Sequence, residues 1–412
     1  MSATTSSTAA GETEQLRRTP LDAEHRALGA TMTGFAGWSM PLRYTSDVAE
    51  HQAVRSAAGL FDLSHMGQIR VAGPDAGRGL DRALVGNISG LAVGRARYTM
   101  ICAPDGGVVD DLVVYRTGDE EFLVVANASN ATTVTAELQQ RCSGATSDSG
   151  AWVEAGAEAR AAAVDEPAGP VDTTTALVAV QGPAAAAVLA AVVVEADRDA
   201  VAGLRYYACT PARVAVDGGT VEALVARTGY TGEDGFELYC AADDAVALWR
   251  SLLAAGEPHG LVPAGLACRD SLRLEAGMPL YGNELDRTTT PYDAGLGRVV
   301  RLDKTDDDGS PLPFVGRDAL EARAHSEPAR VLVGLEGLGR RAARHGYAVL
   351  APRGATVGHV TSGAPSPTLG HPVALAYVTP EVSAPGTELA VDVRGRAEPV
   401  RVVSLPFYRR AT

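Results

Sequence analysis

Residues 97–129 read RYTMICAPDGGVVDDLVVYRTGDEEFLVVANAS. The apolar runs Arg97–Cys102, Val108–Arg116 and Phe122–Asn127 have strand composition, and PDGG and TGDEE between them are turn sequences. The stretch therefore predicts a three-stranded antiparallel meander. Helical spacing on either side, over Gly77–Leu84 and Ala131–Gln140, makes this a small α+β unit of ferredoxin-like type.

The same pattern returns further along the chain. Strands are expected at Ala176–Val180, Ala212–Val216, Val221–Arg227 and Phe236–Cys240, with helices at Ala184–Val193, Ala245–Ala255 and Leu266–Glu275. Upstream, TPLDAEHRALGATMTGFAGWSMPLRY mixes a short helix with extended chain, and SDVAEHQAVRSAA (residues 46–58) is helical with Gly59 as its stop signal. LFDLSHMGQIRVAGPDA (residues 60–76) is extended. The segment from Cys142 to Thr175 begins as an irregular connection. TDDDGSPLP at Thr305–Pro313 is the best boundary. Beyond it come short, regularly spaced β runs (Val331–Leu335, Tyr347–Leu350, Thr356–Thr361, Val373–Val378, Glu388–Val393 and Pro399–Leu405), the pattern of a small all-β barrel or sandwich.

Composition narrows the function. The chain has 412 residues, 46% hydrophobic and 21% charged, as a globular protein does, and no apolar run long enough to span a membrane. Residues 1–18 read as a disordered tail rather than a targeting peptide. Of 36 basic residues only Lys304 is a lysine. There is thus no P-loop, and the one candidate for a Schiff base lies in KTDDDGSP, which reads as an exposed acidic turn. A net charge of −14 argues against nucleic-acid binding, though not against an anionic small molecule in a locally basic pocket. Five scattered cysteines without C-x-x-C spacing point to a reducing, cytoplasmic compartment. Eight scattered histidines give no metal-binding pattern.

Four stretches could carry chemistry. In GGVVDDLVVY, alternation sends Asp110 and Asp111 to opposite faces of a strand whose neighbours are apolar. One carboxylate is then either paired with an arginine or lines a site as an acid, a base or a stabiliser of positive charge. ARTGYTGEDGFELYC (residues 226–240) is a glycine-rich hairpin carrying Glu237 on a strand, either solvated or facing a ligand. In LACRDSLRLEAGMPLYGNEL (residues 266–285), Arg269 and Arg273 share a helix face. They can hold a carboxylate ligand, or Arg273 can pair with Asp270 along the helix. TSGAPSPTLGH (residues 361–371) reads as a rigid loop.

Together and in this order these stretches resemble the aminomethyltransferase (T-protein) family of the glycine cleavage system. RRTPLDAEHRALGATMTGFAGWSMPLRY, GLFDLSHMGQI, LVAVQGPAA and ACRDSLRLEAGMPLYGNELD add to the likeness, which runs from about Thr19 to Arg409. The resemblance implies an α+β protein. Its form would be a three-domain cloverleaf of two α+β (ferredoxin-like) lobes and a C-terminal all-β barrel around a central folate channel. It divides the chain into residues 19–64 with 150–300, residues 65–149 and residues 314–412. It implies transfer of the methylene of an aminomethyl group, carried on the lipoyl arm of H-protein, to tetrahydrofolate, with release of ammonia. Asp111 matches the family's essential aspartate, with Asp110 the adjacent alternative. Glu237 matches the pterin-binding glutamate. Tyr98, Asn127, Tyr230, Met66 and Arg269 match positions around the folate, and Arg409 matches a basic residue near the chain end. Tetrahydrofolate and lipoylated H-protein are the implied co-substrate and partner, with no nucleic acid, membrane or metal.

Two other readings share the fold. A folate-dependent demethylase of a small sulfonium such as dimethylsulfoniopropionate would keep the folate pocket. A non-catalytic folate-binding protein related to iron–sulfur assembly factors would carry K-G-C-Y-x-G-Q, where this chain has R-T-G-Y-T-G-E.

Overall fold

The computed structural model describes residues 16–143, 152–155 and 174–410. The predicted tail falls mostly outside this range, as does most of the connection after Cys142. The meander forms as predicted, with strands Ala96–Cys102, Val108–Gly118 and Glu121–Ala126. It belongs to a five-stranded sheet completed by Gly67–Ala72 and Trp152–Ala155. Helices Ala76–Ala83 and Ala131–Ser143 cover it, burying Leu80, Ile101, Leu112, Val114, Val134 and Leu138 in one core.

The second unit is a six-stranded sheet in the order Cys209–Val216, Gly219–Ala226, Gly235–Ala241, Thr175–Gln181, Ala58–Asp62 and Leu261–Pro263. All neighbours are antiparallel except the last pair. Helices Ala185–Val192 and Ala245–Gly256 pack on one face around Val178, Val214, Leu248 and Trp249. The third unit is a closed barrel of six strands between Val331 and Val403. Among the described residues no helix is long and apolar enough to cross a membrane.

Three sequence expectations need correction. The helix expected over residues 46–58 is Asp47–Ser56, capped by the Ser46 hydroxyl at 3.2 Å from the Ala49 N–H. The chain turns at Ala57, and Ala58–Asp62 is a strand with every residue buried, so Gly59 lies inside the strand rather than stopping the helix. A fully buried strand shows no polar alternation that would mark its start.

The second correction is Lys304. Instead of lying exposed in its acidic turn it is 4% exposed. Its ammonium donates to the carbonyls of Asp81, Leu84 (2.7 Å) and Gly86 (3.2 Å), where helix Ala76–Ala83 ends, and lies 4.1 Å over the Phe314 ring. The carbonyl ends of a helix are a natural seat for a cation. Burial draws this ammonium down to about 7, with Asp81 opposing.

The third concerns residues 361–371. Thr361–Pro365 continues a barrel strand, and only the residues after it form a loop. That loop is fastened to the other units through the buried Glu275, which accepts from the hydroxyls of Ser366 and Thr368 (2.7 Å) and from Arg55 (2.8 Å) and His51 (3.1 Å). This clasp ties the barrel to helices Asp47–Ser56 and Leu266–Glu275.

Candidate active site

The five- and six-stranded sheets meet across a cluster that includes Phe61, Leu63, Tyr115, Val125, Leu177, Tyr239 and Leu272, with Met66, Val113 and Tyr207 partly buried against it. Met66 packs on this cluster, and Glu237 meets it through Tyr115 and Tyr239.

Glu237 sits on Gly235–Ala241, half-buried. Its Oε2 accepts from the hydroxyls of Thr228 at 2.7 Å, Tyr115 at 3.2 Å and Tyr239 at 3.3 Å. Tyr115 comes from the other sheet and also lies 2.9 Å from the Thr228 hydroxyl. Three hydroxyls on one oxygen fix the carboxylate plane and leave Oε1 without a protein partner among the described residues.

At the other end are Asp110 and Asp111, consecutive residues in regular register with Ile101 and Met100. Pairing with Ala96–Cys102 shifts register beside them, Ile101 facing Asp110 and Cys102 facing Val108, so Val109 is an extra residue. Pairing with Glu121–Ala126 stops at Val113↔Val125, which leaves the two aspartates open on that side. Both carboxylates turn to the same amide: Asn127 Nδ2 is 2.8 Å from Asp110 Oδ1 and 2.8 Å from Asp111 Oδ1. Asp111 also accepts from the Tyr98 hydroxyl at 2.9 Å. Burial pushes Asp111 above the usual carboxylate range and Glu284 adds to this, while Tyr98 and Asn127 oppose it.

Arg269 and Arg273 separate into the two alternatives the sequence left open. Arg273, 1% exposed, pairs with Asp270 at 2.8 Å and with Glu284 at 2.8 Å, and donates to Ser362 of the barrel at 2.7 Å. Arg269 has no ion pair or side-chain hydrogen bond among the described residues. Its guanidinium lies 4.8 Å from the centroid of the Tyr230 ring, and burial lowers its pKa against the pull of Tyr230 and Glu237. The Tyr230 hydroxyl donates to the Pro279 carbonyl. Met66 lies at the sheet junction. Arg409 stands apart, exposed and without a polar contact among the described residues.

Sequence reasoning missed Tyr115, Thr228, Tyr239, Tyr207 and Glu284. Alternation from Glu237 would have found Tyr239, two residues on along the same strand. Tyr207 carries no sequence signal. It adopts φ 57°, unusual for a bulky residue, and is held there by pairing with Ala96 N–H (2.9 Å) and Arg227 O (3.0 Å). The charges of both Glu237 and Asp111 reach its hydroxyl and add to the effect of burial in raising its pKa, so it feels both carboxylates of the site.

Residues 21–304 match the GCVT N-terminal domain, and residues 330–409 the glycine cleavage T-protein C-terminal barrel domain. Aminomethyltransferases of Streptomyces coelicolor and Saccharopolyspora erythraea are 58% and 56% identical, each over 96% of this chain and 98% of the relative. The crystal structure of the glycine cleavage system aminomethyltransferase T from Bartonella henselae superposes with a TM-score of 0.79 at 35% identity, covering 95% of this chain and 98% of that one. Matches of that extent, reaching across both α+β sheets and the barrel, show that the chain belongs to the aminomethyltransferase family of the glycine cleavage system.

Proposed function

We propose that the protein moves the methylene of an aminomethyl group, carried on the lipoyl sulfur of H-protein, to tetrahydrofolate, releasing ammonia and leaving dihydrolipoyl H-protein. The observation that carries this reading is the pairing of two differently prepared carboxylates at one sheet junction, with an arginine nearby that forms no ion pair among the described residues.

The donor set suits a reduced folate. Glu237, held by three hydroxyls on Oε2 and with no partner on Oε1 among the described residues, can accept the paired N–H donors of the pterin's aminopyrimidinone edge. Arg269 offers its donors to an anionic group, and the folate tail carries carboxylates. Tetrahydrofolate supplies the nucleophilic nitrogen and accepts the carbon.

The protein's part in the transfer falls to Asp111. As the carbon–sulfur bond breaks, positive charge grows on the migrating methylene and its nitrogen. A carboxylate already fixed by Tyr98 and Asn127 stabilises that charge without reorganising. Burial disfavours its negative charge beforehand, so a developing cation relieves a strain that the ground state carries.

The test is direct. H-protein loaded with the aminomethyl group, tetrahydrofolate and this enzyme should yield methylenetetrahydrofolate and ammonia in equal amounts. No product from that mixture, with methyl transfer from dimethylsulfoniopropionate instead, would establish the demethylase reading.

A further inference from the structure

Beside the carboxylate assigned to the reacting centre lies a second that the transfer chemistry leaves unused. Asp110 is fully buried at 0% exposure. Its Oδ1 accepts from the side-chain amides of Asn127 and Asn130, each at 2.8 Å, and its Oδ2 from the Asn127 backbone N–H at 3.0 Å. Asn127 is thus gripped twice by one carboxylate. A side-chain amide nitrogen has two hydrogens. One goes to Asp110, and the other is left for Asp111 Oδ1 at 2.8 Å.

A buried charge with no task is selected against, because desolvation opposes it and replacement by an apolar group relieves it. Here the burial coincides with the point where Glu121–Ala126 no longer pairs with the aspartates, while Ala96–Cys102 still pairs with both on its other side. The amides of Asn127 and Asn130 take the place of that pairing. Their orientation is fixed by Asp110, and Asn127 in turn fixes Asp111.

We propose that Asp110 is a positioning residue for aminomethyl transfer, setting the Asn127 amide so that it holds the Asp111 carboxylate at the reacting centre. The proposal rests on the reading of Asp111 given above. It also makes the two aspartates a coupled pair whose protons belong to both. Burial and the charge of Asp111 push Asp110 up to about 7, while the Asn130 and Asn127 amides pull it down. Other groups face the pair from several elements. Tyr98 faces Asp111 from the adjacent strand, and Glu284, paired with Arg273, reaches it from the segment after helix Leu266–Glu275. Tyr207 and Tyr230 feel the charge of Asp111. Tyr281 feels that of Asp110, with Arg287 and Asp286 beyond it.

The test is the pH profile of kcat and kcat/KM of the full-length enzyme with aminomethyl-loaded H-protein, alongside tetrahydrofolate affinity by calorimetry. The unsubstituted enzyme should show an inflection near 7 from the pair. Asp110→Asn should move that inflection to lower pH, because Asp111 then titrates without a charged neighbour, and lower kcat roughly tenfold, the scale of one hydrogen-bonded contact, with folate affinity within about twofold of the unsubstituted value because Glu237 is untouched. Asn130→Ala removes one amide donor from the charged form, so the inflection should move to higher pH. That variant decides the matter if Asp110→Asn does not fold, and a profile that it leaves unmoved would overturn the proposal. So would a folded Asp110→Asn enzyme with unchanged profile and kcat when Asp111→Asn is inactive. Full activity in Asp111→Asn would instead overturn the underlying reading of Asp111, a result that the Asp110 data cannot imitate.

Discussion

Asp111 and Glu237 are the same functional group in two contrasting settings. Glu237 takes three hydroxyls on one oxygen and lies within reach of the Arg269 cation. Asp111 takes one hydroxyl and one amide, and its neighbours include the carboxylates of Asp110 and Glu284. The first setting holds the carboxylate still, which is what recognition requires. The second leaves the charge under-compensated, so its interaction with an arriving cation is worth more than it would be in a neutralised site. Under the proposed function, the first end binds and the second stabilises charge that appears only during reaction.

The largest expected effect separates the two ends. Asp111→Asn keeps shape and both hydrogen-bonding neighbours but removes the charge, so turnover should fall by about 10²–10³. Folate affinity should hold within about twofold, since the substitution lies away from Glu237. Single-turnover rates and calorimetry read the two quantities separately, and a loss of affinity as large as the loss of rate would break the comparison. Glu237→Gln should do the reverse. It removes a charge-assisted acceptor worth roughly 1.5–3 kcal/mol, or about 10- to 150-fold in the folate dissociation constant, while kcat at saturating folate stays near that of the unsubstituted enzyme. A fall in kcat at saturation would place Glu237 in the reaction itself.

What the sequence makes legible follows from the range of the interactions involved. The meander at Ala96–Ala126 and most of the short strands of the barrel are written in local alternation and turn chemistry, and all but the strand Thr356–Pro365 form within a residue or two of where those signals put them. The helix stop at Gly59 fails because Ala58–Asp62 is buried on both faces and so shows no polar alternation. Lys304 fails for a related reason: its immediate neighbours are acidic, but the carbonyls that bury it come from residues more than two hundred positions away. In the site, the carboxylates and Arg269 stand out as charges in apolar or glycine-rich surroundings. The hydroxyls that orient them do not. Tyr115 resembles any core tyrosine until the second sheet brings Glu237 against it, and nothing local marks the Asn127 amide that Asp110 and Asp111 share.

A smaller pair of substitutions sharpens the contrast at the level of single hydroxyls. Tyr98→Phe deletes one of the two side-chain donors that hold Asp111. A hydrogen bond to a charged group contributes about 1.5–3 kcal/mol, but Asn127 remains, so a loss in kcat near the low end, roughly tenfold, is expected. Folate affinity should change less than the rate.

The smallest effect belongs to Thr228→Val, which is nearly isosteric and removes the shortest of the three hydroxyls on Glu237 Oε2, at 2.7 Å. Tyr115 and Tyr239 still donate to that oxygen, at 3.2 and 3.3 Å, and their own hydroxyls lie 3.2 Å apart. The network can close over the missing member, so the cost should lie at about 0.5–1 kcal/mol, a two- to fivefold weaker folate dissociation constant with kcat unchanged. The Thr228 hydroxyl also lies 2.9 Å from that of Tyr115, so its removal leaves Tyr115 free to turn fully to Glu237. Tyr115→Phe in the Thr228→Val background should therefore cost more than Tyr115→Phe alone. That coupling in folate affinity, read from a double-mutant cycle, measures how far the three hydroxyls act as one unit. Additive losses would mean that Glu237 is held by independent donors, and its fixed orientation would then need another cause.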